Sequence, residues 1–141
     1  MKKMKKIILL AVALVSLATI TSCSKDDDSA SLQGKWEELK FGELVGGQEV
    51  LEDVVPDSDG CQQDYTQITA NSWISHEFED LGSGCEEVIG NPVSYTRNGN
   101  ILTLSQGTAE IKSLTGSTLK LYLVFNFGGT TTTYITVLKR I

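Results

Sequence analysis

The sequence predicts an all-β fold, an antiparallel up-and-down meander of about eight strands closing into a small barrel. Three observations lead there. Apolar and polar residues alternate along several runs, the period of a strand with one buried face. Short turn sequences such as "RNGN" (97–100) and "FGGT" (127–130) separate those runs. After residue 31 no helical period is sustained, and an eight-stranded meander with short connections removes its own edges by closing.

The elements begin after a leader. "MKKMKK" places four lysines in six residues, and residues 7–20, "IILLAVALVSLATI", carry no charge. A positive start, an apolar middle and small residues before a cleavage point are the pattern of an export signal. Fourteen apolar residues fall short of the roughly 20 that a spanning helix needs. "ITSC" (20–23) resembles the bacterial lipobox, which implies that Cys23 is the lipid-attachment site, carrying fatty acyl chains such as palmitate. Two or three such chains hold a protein firmly where one is marginal. "SKDDDSAS" (24–31) has the composition of a solvated linker. "SKDDD" also resembles the acidic export tag of surface-exposed lipoproteins in some Gram-negative bacteria, so both faces of the outer membrane stay open as destinations. The expected organisation is a signal peptide over 1–22, acylated Cys23 and a polar linker over 23–31, and one domain over 32–141.

Composition narrows the function classes. Once the four leader lysines are removed, eight basic residues face eighteen acidic ones. Such a surface repels phosphate backbones, and no nucleic-acid partner is expected. With Cys23 acylated, Cys61 and Cys85 remain as an even set in an oxidising compartment, where a disulfide is expected. Zinc is the rival reading, and it would want four ligands where only one histidine and no CxxC pair accompany the thiols.

The strands follow in order. "GKWEELKF" (34–41) is the first; "DYTQIT" (64–69) and "SWISHEFE" (72–79) meet at Ala70 and Asn71. "VSYTR" (93–97) and "ILTLS" (101–105) flank Asn98-Gly99, a strong hairpin signal. The segment 108–114 turns at Thr115 and Gly116 into "TLKLYLVFNF" (118–127), where Leu119, Leu121, Leu123, Phe125 and Phe127 fall on one face as five expected core positions. Gly128-Gly129 then offers a tight turn into 131–139. Segments 42–63 and 80–92 read as irregular, each carrying one of the two cysteines, so a bridge would pin both at one end.

Gly34 two residues before Trp36 is similar to the G-x-W signature of lipocalins. Together with the paired cysteines, "YTRNGNILTLS" and "IKSLTGSTLKLYL", it resembles the lipocalin-like domain of short bacterial lipoproteins over residues 32–141. The resemblance implies a small lipocalin-like barrel that binds rather than catalyses. At 110 residues the domain is shorter than true lipocalins, which implies short strands and a small interior.

No set of residues converges on a chemistry, so no enzyme and no cofactor are expected. Trp36 reads as a structural plug at the closed end. Trp73 fits either face of its strand. His76, in phase with Ile74 and Phe78, reads as a hydrogen-bonded core or rim residue, since a general base would need a nucleophile and an orienting partner. Glu77, Glu79, Asp80, Glu86 and Glu87 read as a solvated acidic rim rather than a glycosidase pair. "VPDSDG" (55–60) lacks carboxylates at the first and twelfth positions of a calcium loop and reads as a turn, so no metal is expected. Two functions remain: a binding module for a small apolar molecule or glycan, or a solid barrel whose segments 42–63 and 80–92 contact another envelope protein.

Overall fold

The computed structural model describes residues 30–141. Within them the chain forms ten strands and no helix: β1 (Gly34–Val45), β2 (Gln48–Asp53), β3 (Tyr65–Ile68), β4 (Ser72–Asp80), β5 (Cys85–Ile89), β6 (Val93–Asn98), β7 (Ile101–Leu104), β8 (Gly107–Leu114), β9 (Thr118–Phe127) and β10 (Thr130–Arg140). Eight of them, all but β2 and β5, pair antiparallel in chain order, and β10 returns to β1 from Trp36↔Arg140 to Glu43↔Tyr134, closing the barrel. These eight coincide with the expected segments. Two-residue turns of left-handed glycine fix the longest hairpin at Gly128 and Gly129 (φ 58° and 87°), a geometry that matches strand twist.

β2 and β5 correct the sequence reading, since they lie in the segments taken as irregular. Each is the outer arm of a hairpin that extends a barrel strand: the far half of β1 pairs β2 from Lys40↔Asp53 to Val45↔Gln48, and the far half of β4 pairs β5 from His76↔Ile89 to Asp80↔Cys85. No residue of β2 or β5 is buried. A strand without a buried face has nothing to make its sequence alternate, so no period betrayed them.

The row of five expected core positions on β9 is also corrected. Leu119 and Leu121 are buried, Leu123 and Phe125 are half-buried, and Phe127 is 62 % exposed. The barrel is packed at one end and opens toward the other, and the β9 face runs from core to mouth. The packed end holds Trp36, Leu102, Leu114, Leu119 and Ile68 around Leu32.

Candidate functional site

The closed end is built around Trp36, which is fully buried and donates its indole N–H to the carbonyl of Leu32 at 2.9 Å. Arg140 lies against the indole face, its guanidinium 4.2 Å from the ring centroid. The same guanidinium donates to the carbonyls of Gln33 and Gly116 at 2.8 Å and to that of Ser31. A Cβ on Gly34 would stand 2.2 Å from the guanidinium nitrogen. The glycine two residues before the tryptophan is thus the gap through which Arg140 reaches it.

Above this floor lies a cavity of about 300 Å³. Its apolar wall comes from Trp36, Ile68, Trp73, Leu121, Leu123 and Leu138, and its polar lining includes Glu38, Asp64, Thr66, Ser75, Glu77 and Thr136. Alternation explains the set. On β4, Trp73, Ser75 and Glu77 face inward together, which settles the face of Trp73 and turns Ile74, His76 and Phe78 outward. Glu38 accepts a hydrogen bond from the Thr136 hydroxyl at 2.6 Å, and Asp64 accepts one from the backbone N–H of Phe78 at 2.8 Å. The Glu77 carboxylate has no hydrogen-bond or ion-pair partner among the described residues, although its backbone pairs with Val88. A second hollow of about 290 Å³, lined by Phe41, Glu43, Val45, Val50, Glu52 and Tyr134, comes next along the same face. The register sets it there, with Phe41 opposite Thr136 and Glu43 opposite Tyr134.

The other residues singled out from sequence fall outside the cup. Cys61 and Cys85 form a disulfide, Cα to Cα 5.6 Å, which pins the loop before β3 to the β4–β5 hairpin. His76 is buried on the outer face of β4, stacked on Tyr65 with centroids 4.4 Å apart and 2.6 Å from Glu87 through Nδ1. A carboxylate only accepts, so Nδ1 carries the proton, and in the neutral ring the buried, unpartnered Nε2 is a bare acceptor. The contacts are those of a hairpin clasp. Glu77, Glu79, Asp80 and Glu86 are all exposed on that hairpin, and of the four Glu77 alone also lines the cup. In "VPDSDG", Asp59 accepts the N–H of Cys61 at 2.9 Å, as a turn residue does. Among the described residues no group of His, Cys, Asp or Glu is arranged to hold a metal ion. Cys23 lies outside the described residues.

Sequence reasoning missed Glu38, Asp64, Thr136 and Arg140. Glu38 and Thr136 left a trace, each standing two residues from an inward apolar residue, Trp36 and Leu138. A polar residue on an otherwise apolar face is the mark of a lined hollow rather than a packed core.

No family model and no curated protein matches the chain. Among solved structures the chain is similar to the siderocalin Ex-FABP, described as functioning through dual ligand specificities, at 11 % identity and a TM-score of 0.47, covering 77 % of this chain and 69 % of that one. It is also similar to a dog lipocalin allergen at 17 % identity and a TM-score of 0.44, covering 78 % of this chain and 74 % of the allergen.

Proposed function

We propose that the chain is a lipid-anchored envelope protein whose barrel is a non-catalytic binding module for one small, mainly apolar molecule. The observation that carries this reading is the cup itself, an open cavity of about 300 Å³ with a tryptophan and leucine wall and a few fixed polar groups. Its volume lies at the lower end of the range for ligand sites, which suits a small ligand and not a long lipid. The anchor rests on the sequence, on residues 7–20 and the lipobox-like "ITSC". Ala30 packs against the core at the plugged end, beside Arg140. An acylated Cys23, seven residues earlier, would therefore tether the barrel by its floor, and the mouth would face away from the lipid.

A second reading has its own observation. Phe41, Val45, Val50 and Phe127 are exposed around the mouth and its hairpin, and a contiguous exposed apolar patch is how a protein contact surface looks. Native mass spectrometry of residues 24–141, exported without the leader, separates the two. Binding predicts a co-purifying small molecule that disappears when Leu123→Trp fills the cup. A protein that emerges bare and stays bare with extracts of the host envelope would shift the function to the patch.

A further inference from the structure

We propose that the cup sorts ligands by charge, taking a cationic amphiphile, an amine or quaternary ammonium head on a short apolar tail, in preference to a neutral one and excluding its carboxylate counterpart. This rests on the binding reading above and names the ligand class of the same site.

The lining carries the charge of one sign only. Glu38, Asp64 and Glu77 line the cup, Glu43 and Glu52 line the hollow beyond it, and no lysine or arginine lines either. The basic side chains of the described residues are engaged elsewhere. Lys40 pairs with Asp53, Lys112 with Glu110, Lys120 with Glu49 and Lys139 with Glu37. Lys35 lies over the Tyr65 ring on the outer face, Arg97 donates to the Gly99 carbonyl, and Arg140 is beneath Trp36. An acid brought into the cup would meet carboxylates and find no counter-ion, whereas a cation would meet carboxylates already held in place by Thr136 and the Phe78 amide. Trp73 adds an aromatic wall, and ring faces attract ammonium groups. A bare metal ion would have no use for the tryptophan and leucine wall. The lining as a whole suits an organic cation with an apolar tail.

The test uses three probes of one tail length: octan-1-ol, octyltrimethylammonium and octanoate. They are titrated into residues 24–141, which keep the closed barrel and its own core intact, and followed by tryptophan fluorescence. The only two tryptophans, Trp36 and Trp73, both line the cup. The expected order is octyltrimethylammonium about tenfold tighter than octanol, and octanoate at least about tenfold weaker than octanol, each step being one decade in Kd. In Glu38→Gln with Glu77→Gln, the ratio of cation to alcohol affinity should fall toward one. In Asp57→Asn with Asp80→Asn, equal in net charge and lining neither hollow, that ratio should persist, which sets the local site apart from the overall field. Added salt should shrink the ratio in the unmodified protein, a readout that needs no variant to fold. If octanol binds and the cation binds no tighter, or octanoate binds as well, charge selection is overturned while the binding reading stands. If none of the three binds, both fall.

Discussion

Arg140 shows how one side chain near the end of the chain closes a barrel. It covers the Trp36 ring, satisfies three backbone carbonyls from two separate segments, and needs the missing side chain of Gly34 to get there. Three charge-assisted hydrogen bonds made together with stacking on an indole are worth more than one exposed ion pair. Arg140→Met should therefore lower the unfolding free energy by about 2 kcal/mol. Its neighbour Lys139, paired with Glu37 on the outer face, is the control, and Lys139→Met should cost less than about 1 kcal/mol. Urea denaturation of both variants decides it; equal losses would mean that the arginine is only a surface charge. The tryptophan was legible from "GKWEEL" alone. The arginine was not, because its role depends on a contact across more than a hundred residues, which no local pattern encodes.

At the scale of elements, the two hairpins outside the barrel are held by polar clasps and, for β4–β5, by the Cys61–Cys85 disulfide. The β1–β2 hairpin folds over the outer face of β10, where Ile135 is buried although it points away from the cup. Gly42 makes this approach feasible, since a Cβ there would stand 1.8 Å from the Val50 carbonyl oxygen. Glu49 then fastens the hairpin to β9 by accepting from Tyr122 and Lys120. The hydrogen bond to Glu49, together with burial and nearby negative charge, pushes the Tyr122 phenol up to about 12, and Lys120 and Tyr122 hold the Glu49 carboxyl below its ordinary value. A raised folded value means stability that is present below about pH 10 and lost as pH climbs toward about 12. The lowered carboxyl acts in the opposite range, contributing above its ordinary value and fading as pH falls through the folded one. In a tyrosinate absorbance titration, Glu49→Gln should make one of the four tyrosines ionise at lower pH; an unchanged curve would remove the clasp. The eight barrel strands were legible because each has a buried face and a turn. The clasped hairpins were not, although Gly46-Gly47 repeats the turn chemistry of Gly128-Gly129 between Val45 and Gln48.

For the whole molecule, one gradient organises the parts. Apolar packing is complete around Trp36 and thins along β9 from Leu119 to Phe127, so the interior passes from core to cup to exposed patch within ten residues. The expectation of a barrel came from alternation, but alternation says only which face is inward and not whether the inside is filled. That depends on how side chains from distant strands meet, and the hydrogen-bonded pair of Glu38 and Thr136 lines the half that stays open. The central claim is that this inner face, and no other, receives a small molecule. Methyl and indole NMR shifts of residues 24–141 titrated with octyltrimethylammonium test it most directly. The account predicts shifts confined to Leu121, Leu123, Leu138 and the Trp73 indole, with Ile89, opposite His76 on the outer face of the β4–β5 hairpin, unmoved. Shifts centred on that hairpin, with the inner leucines silent, would contradict it.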